Sequence, residues 1–229
     1  MRLRRRCSFM HASQKDNKPM ASRFRQRHLM RGLRPEPSRH RILTRLRYHR
    51  DRTSLDASAE ALIREGLRLG REKCHPAGMY CRTAFEIGAD ASVRLADAPP
   101  IRSADLASLL TDCHEVVLLA ATVGAEVVEC VARDMADGRA ARATVLDAVA
   151  SETADATLDE LANLVSNLVR REGARMTRRM SPGYGDLDLS CQRILFDALG
   201  AAQLELELNR HHMLVPEKSV LAVAGVKEL

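Results

Sequence analysis

The chain has 229 residues, of which 45% are hydrophobic and only 3% aromatic, and it contains no tryptophan. This length suffices for one substantial domain with a core of Leu, Val, Ala and Met, but few aromatic surfaces remain on which nucleic-acid bases could stack. The net charge of +6 is no general argument for nucleic-acid binding, because 17 of the 36 basic residues precede residue 53 and the rest of the chain is acidic.

The first 40 residues mix Arg, Ser, His and Met with little apolar periodicity, and Pro35 and Pro37 end the stretch. This composition predicts a basic, disordered tail on residues 1–40 and a single domain on residues 41–229. Internal methionines allow a later natural start. An Arg-rich leader is also compatible with an organellar transit peptide or a nucleic-acid arm, and these alternatives stay open.

The front half of the domain alternates between helices and strands. A helix is predicted after a capping pair of Thr53 and Asp56, a strand over 79–87, and a short helix capped by Ser103. The continuous apolar run over 115–122 predicts a buried strand, which turns into a helix after Gly124. That turn could offer free N–H groups to an anion, or it could be purely structural.

The second half begins with a long helix that runs from about residue 139 to Gly173. A strand over 175–180, a helix over 189–199, an alternating strand over 204–208 and a final strand over 219–226 follow. Because no regular βαβ repeat occurs, this order predicts an α+β fold. We expect an antiparallel, twisted sheet with half-exposed strands, packed with helices that include a long central one.

Cysteine usage and hydropathy favour a cytoplasmic protein with reduced thiols and no membrane partner. The six cysteines contain no C-x-x-C pair, and neither a secretory segment nor a run of 18 apolar residues occurs. The pair His211-His212 would point to opposite sides of an extended segment, and Cys74 and Cys81 lack a second matched pair. We therefore predict no metal site.

The segment "RRMSPGYGDLDLSCQRILF", residues 178–196, carries the most specific chemistry. Arg179 could hold a carboxylate through two parallel hydrogen bonds, while the Pro182-Gly183 turn lets the backbone approach a ligand. Tyr184 adds a flat face and a hydroxyl. These parts suit an amino-acid ligand with an aromatic base, although an Arg beside such a turn often forms only a surface salt bridge.

An acidic set accompanies the long helix: Asp147, Glu152, Asp155, Asp159 and Glu160. Such a set is usually the solvated face of a helix. One of its carboxylates could instead meet the ammonium or the ribose hydroxyls of a ligand.

The C-terminal 50 residues resemble the activation (reactivation) domain of cobalamin-dependent methionine synthase. The signature of that domain for S-adenosylmethionine, Arg-x-x-x-Gly-Tyr, here reads Arg179-Met-Ser-Pro-Gly183-Tyr184. The stretches "ILFDALG" and "LELELNRHHMLVPEKSVLAVAGV" are similar to its following helix, strand and Met-x-Pro loop, and "VVLLAATVGAEVVECV" to an upstream region. The resemblance covers roughly residues 41–229.

The resemblance implies binding of S-adenosylmethionine by Arg179, Pro182, Gly183 and Tyr184 on one side of the ligand. It implies that Met213, Pro216 and Ser219 line the other side, and it makes Glu152 and Asp155 the candidate carboxylates. No residue is assigned as nucleophile or general base.

The function implied is reductive remethylation of a cobalamin-dependent methionine synthase, or of a related corrinoid methyltransferase, that acts in trans. Cobalamin would be carried by the corrinoid partner, and an external electron donor would be needed. The chain would be a methyltransferase component rather than a complete enzyme, because it lacks the Asp-x-His-x-x-Gly motif of a cobalamin-binding module.

One departure from the pattern motivates a second hypothesis. The family continues Gly-Tyr with a Pro-Ala-Cys-Pro-Asp-His segment, whereas this chain continues with "GDLDLSCQ". A non-catalytic binding or assembly protein of the same fold, with a changed ligand or partner, is therefore the alternative.

Overall fold

The computed structural model describes residues 26–48, 54–96 and 98–229, and in these ranges it forms six α-helices, one short 3-10 helix and ten strands. The helices are α1 (Arg39–Arg45), α2 (Ala57–Lys73), α3 (Ala104–Leu110), α4 (Glu126–Ala136), α5 (Ala140–Arg171) and α6 (Cys191–Leu199), with the 3-10 turn at Ala201–Leu204. The strands are β1 (His28–Arg31), β2 (Ala77–Thr83), β3 (Phe85–Ile87), β4 (Ser92–Leu95), β5 (Ile101–Arg102), β6 (Glu115–Thr122), β7 (Ala174–Met176), β8 (Glu207–Leu208), β9 (Leu214–Val215) and β10 (Ser219–Glu228).

Five strands form the main sheet in the order β1-β2-β6-β10-β7, and every neighbouring pair is antiparallel. The central strand β6 pairs with β2 on one side and with β10 on the other. Thr122 lies opposite Ala77 and Ser219, so the end of β6 meets the start of both neighbours. Two smaller sheets, β3-β4-β5 and β8-β9, flank it. The predicted α+β fold with an antiparallel sheet is confirmed.

Both faces of the main sheet are buried. Val117, Leu119 and Ala121 point towards α5, while their neighbours Leu118 and Ala120 join the core formed with α3 and α6. This two-sided covering explains why β6 reads as an unbroken apolar run. The predicted burial of β6 is confirmed. The half exposure expected of the alternating strands is wrong for β2, because helices shield the face that would otherwise meet water.

The 32-residue helix α5 is the central helix that the periodicity predicts. One side lies on the sheet so closely that a Cβ at Gly78 of β2 would be 3.0 Å from the Leu161 side chain. Helices α1, α2 and α4 pack against the rest of its length. Apart from the sheet, α5 is therefore the element on which most other helices depend for their position.

Ser103 caps α3 as predicted, whereas Asp56 is itself the N-cap of α2 instead of the third residue after a Thr53 cap. The Ser103 hydroxyl accepts from the backbone N–H of Leu106 at 3.0 Å, and the Asp56 carboxylate accepts from Ala59 at 2.7 Å. Thr53 lies outside the described residues. Gly200 ends α6 in the left-handed conformation, as a C-terminal glycine should.

The predicted strand over 204–208 is wrong for most of its length. Leu204 and Leu206 are buried, which produces the alternating pattern, but Glu205 has φ +60° and turns the chain. Only Glu207–Leu208 pairs with a neighbouring strand. The alternating pattern over these five residues therefore predicts correctly which side chains are buried, but it predicts the wrong backbone conformation.

The boundary of the predicted tail also needs correction. Strand β1 pairs with β2 through His28 opposite Tyr80, and the Arg27 Nε donates to the Leu199 carbonyl at 2.7 Å. Residues 26–40 therefore belong to the folded domain, since β1 completes an edge that β2 alone would expose. Residues 1–25 lie outside the described residues.

Within the described parts of the chain, no helix has the length and apolar character needed to cross a lipid bilayer.

Candidate functional site

The site is built around the segment between β7 and α6. Backbone hydrogen bonds join Met180 to Val223 of β10 in both directions, at 2.9 and 2.8 Å, so the segment is fixed to the sheet. The Met180 side chain enters the core on the α3 and α6 side. Because side chains alternate along an extended segment, Arg179 points to the other face, where α5 lies.

Arg179 makes two contacts with α5. Its Nη1 donates to the Leu158 carbonyl at 3.1 Å, and its Nη2 forms an ion pair with the Asp159 carboxylate. About 29% of its side chain remains exposed. A guanidinium has five N–H donors, so three of them remain for a ligand after these two contacts.

The turn after Arg179 requires a glycine. Gly183 has φ +89°, a conformation that other residues rarely adopt, and its N–H donates to the Leu187 carbonyl at 2.7 Å. This turn leaves the Tyr184 side chain 72% exposed beside Arg179. Pro182 is buried under the turn, and it and Gly183 therefore shape the loop.

The divergent "GDLDLSCQ" segment has a structural task of its own. The Asp186 carboxylate accepts hydrogen bonds from the Ser103 hydroxyl and from the Ala104 N–H, the latter at 2.7 Å, at the start of α3. The bond from Ser103 is the main cause that lowers the pKa of Asp186. Asp188 accepts from the Ser190 N–H at 2.8 Å just before α6. The segment therefore ties the loop to two helices.

The acidic set on α5 is not simply a solvated face. Lys218 forms an ion pair with Asp147 at 2.7 Å, and Arg45 bonds Asp155 at 2.5 Å. Glu152, whose side chain is only 2% exposed, lies 3.4 Å from Arg45. Together with Arg179 at Asp159, these cations pair with four of the five carboxylates. The fifth, Glu160, has a buried oxygen, Oε2, with no hydrogen-bond partner among the described residues.

Arg179 and Tyr184 lie on a cleft of about 420 Å³, a volume within the range of small-molecule sites. Its charged residues include three cations and three carboxylates, which balance. The full lining is Arg41, Asp105, Asp155, Leu158, Asp159, Arg178, Arg179, Met180, Ser181, Tyr184, Gly185 and Val220. Such a cleft suits a ligand that carries both charges, as an α-amino acid does.

The cleft unites part of the predicted site. Arg179, Tyr184 and Asp155 all line it, and Glu152 lies one turn of α5 away, on a neighbouring cavity of about 540 Å³. Arg41 and Asp159 line both cavities. The two spaces therefore meet along α5.

The other predicted residues lie elsewhere. Met213 is 48% exposed before β9, Pro216 follows β9, and Ser219 starts β10, where its hydroxyl donates to Thr122 at 2.8 Å. None of these three is among the residues that line the cleft in the described chain. The predicted site residues therefore fall into two groups. One group lines the cleft, and the other lies between Met213 and the start of β10.

The turn after β6, which leads into α4, is closed by a local hydrogen bond. The Gly124 N–H donates to the Thr122 hydroxyl at 3.1 Å. Glu126 stands in the first turn of α4, where its carboxylate pairs with Lys73 at 2.7 Å, and no side chain in the described parts of the chain caps the helix. Across the described residues no group of three or more His, Cys, Asp or Glu could hold a metal ion.

Sequence reasoning missed Arg41 and Asp186. Arg41 lies at the start of the predicted domain, 138 positions before Arg179, and nothing in the sequence indicates that the two are close. Asp186 was read as part of a divergent surface. A carboxylate just before a predicted short helix would have indicated a cap, but this one reaches a helix that begins 82 residues earlier in the chain.

Comparison with known proteins links this geometry to one fold. No family model matches the sequence. No curated protein matches it either. Among solved structures, the chain resembles the one described as the MetH reactivation domain bound to AdoHcy, S-adenosylhomocysteine, with a TM-score of 0.65. The match covers 95% of this chain and 83% of that chain at 12% identity. It confirms the predicted resemblance in fold.

Proposed function

We propose that the chain is an S-adenosylmethionine-binding module that supports reductive remethylation of a cobalamin-dependent methionine synthase or a related corrinoid methyltransferase in trans. One observation carries the proposal. A chain with the fold of a reactivation domain that binds S-adenosylhomocysteine brings Arg179, Tyr184 and Asp155 of the sequence-predicted site into one charge-balanced cleft.

In this proposal the protein binds and orients, and it provides no general acid or base. Arg179 grips the carboxylate of the ligand with its remaining N–H donors, while the Asp159 ion pair holds the guanidinium in place. Asp155 lies where it can meet the ligand ammonium. S-adenosylmethionine supplies the methyl group, and cobalamin held by the partner receives it after reduction by an external donor.

The exposed Tyr184 is the part of the site that a docked partner would cover. Tyr184 is 72% exposed beside the cleft, although tyrosine normally buries much of its surface. Met213, Pro216 and Ser219 belong to the proposal as a second contact region, which extends from the residue before β9 to the first residue of β10 and lies outside the cleft itself. Orientation of the methyl group towards the partner is then an effect of proximity.

Equilibrium dialysis with radiolabelled S-adenosylmethionine tests the proposal directly. We expect the natural protein to bind, and Arg179→Gln to weaken binding by about 2 kcal/mol, roughly thirtyfold, because a charge-assisted contact is lost. Arg175→Gln on β7 is the matched control, since Arg175 is exposed and does not line the cleft. Absence of binding by a folded natural protein would refute the proposal.

A second candidate is a binding or assembly protein of the same fold without this ligand. The contacts of Arg179 favour it, because both terminal nitrogens already bond to α5, as in a structural ion pair. This candidate predicts that Arg179→Gln lowers the melting temperature and leaves no ligand binding to measure in either protein.

A further inference from the structure

Arg41 of α1 reaches the same cleft as Arg179. It comes from a helix of seven residues that packs on α5, and it lines both the cleft and the neighbouring cavity. Its Nη1 lies 3.6 Å from Asp159 Oδ2, while Arg179 pairs with the other oxygen, Oδ1, of the same carboxylate. Two guanidinium groups therefore flank one carboxylate at the wall of the cleft.

The two arginines differ in how fully they are engaged. The contacts of Arg41 with Glu152 and Asp159 are both 3.6 Å, beyond hydrogen-bonding distance, and its side chain is 58% exposed. Arg179 already donates from two of its nitrogens. Among the described residues Arg41 is thus held in position by two ion pairs, and its side chain makes no hydrogen bond within 3.5 Å.

This difference has a consequence for binding. A ligand carboxylate that meets Arg41 breaks no hydrogen bond of the protein, whereas one that meets Arg179 must share it with Asp159 and the Leu158 carbonyl. Glu152 and Asp159 keep Arg41 beside the cleft through Coulomb attraction, and the low exposure of Glu152 makes that attraction stronger than in water.

We propose that Arg41 is a ligand-binding residue that donates to the carboxylate of the amino-acid moiety, together with Arg179, and so selects ligands that carry this group. The inference rests on the proposed function of the cleft. It assigns the α1 region a part in the site that the signature around Arg179 and Tyr184 does not include.

Paired ligands isolate this contact. S-adenosylhomocysteine and 5′-methylthioadenosine share the adenosyl thioether, but only the first carries the amino-acid carboxylate. For Arg41→Gln we expect the dissociation constant of S-adenosylhomocysteine to rise at least about tenfold and that of 5′-methylthioadenosine to stay within about twofold. Arg39→Gln is the matched control, since Arg39 lies on the same helix and bonds Glu60 away from both cavities.

The outcomes separate the two proposals. If the natural protein binds neither ligand, the proposed function fails and the role of Arg41 fails with it. If the natural protein binds S-adenosylhomocysteine, an unchanged dissociation constant in Arg41→Gln, or an equal loss for both ligands, overturns the role of Arg41 alone. Should Arg41→Gln not fold, Arg41→Lys carries the same comparison, because it keeps the charge and loses the planar fork.

Discussion

The packing of α2 on α5 makes a prediction that runs against helix propensity. Gly70 of α2 is buried against α5, and a Cβ built there would lie 2.5 Å from Cγ1 of Val149. In an unconstrained helix Gly→Ala is worth about 1 kcal/mol of added stability. Here we expect Gly70→Ala to destabilise the protein.

The magnitude follows from the geometry. Carbon atoms pack at roughly 3.5–4 Å, so α2 must move by about 1 Å or Val149 must leave its rotamer. A valine in a helix strongly prefers one χ1 rotamer, so a change of the Val149 rotamer is itself unfavourable. Overpacking of this kind typically costs about 1–3 kcal/mol, so after the propensity gain we expect a net loss of about 1 kcal/mol.

Urea unfolding followed by far-ultraviolet circular dichroism measures the effect. The control is Ala61→Gly on the exposed side of α2, because it measures the effect of helix propensity on stability in the same helix. The double variant Gly70→Ala/Val149→Ala should show a favourable coupling of about 1 kcal/mol, because the smaller side chain removes the clash. A rise of the urea midpoint in Gly70→Ala would show that α2 does not approach α5 this closely.

Two further predictions concern ionisable groups. Hydrogen bonds from Arg142 hold the pKa of Asp134 at about 2 against an ordinary 3.8, so Asp134 stabilises the fold above pH 3.8 and its contribution disappears as the pH falls towards 2. Asp134→Asn should accordingly cost about 2 kcal/mol in urea at pH 7 and much less at pH 2, and equal costs at both pH values would contradict the assignment. Burial raises the pKa of the Cys74 thiol to about 12, so iodoacetamide at pH 8 should alkylate it at least about a hundredfold more slowly than the less buried Cys130. Comparable rates by mass spectrometry would refute the burial of Cys74.

Local physics made most of the fold predictable. The apolar run of β6, the caps at Asp56 and Ser103 and the length of α5 each follow from residues close in sequence. The failure at β1 has a different origin, which is dependence on a distant partner. The four residues of strand β1 do not predict a strand by themselves, because they gain stability only by pairing with β2, some 50 positions later.

The site divides in the same way. The spacing from Arg179 to Tyr184 predicted a local turn with a required glycine, and the structure has it. No local signal could show that Asp159 stands between Arg179 and Arg41, since that contact depends on how α1 and the β7–α6 segment meet on α5. Met213 was grouped with Arg179 by resemblance alone, and it lies outside the cleft.

The place of β10 in the sheet sets the order in which a ribosome can complete this domain. Strands leave the ribosome in sequence order, at about 5–20 residues per second. Every other strand of the main sheet is made before β10, yet β10 lies between β6 and β7 and pairs with both. Until it emerges, the nascent chain presents one open edge of its most apolar strand, β6, and Met180 has no partner at Val223 to fix the loop that carries Tyr184. The cleft beside Arg179 and Tyr184 therefore takes its final form only after β10 has emerged from the ribosome, and one edge of β6 stays unpaired until then.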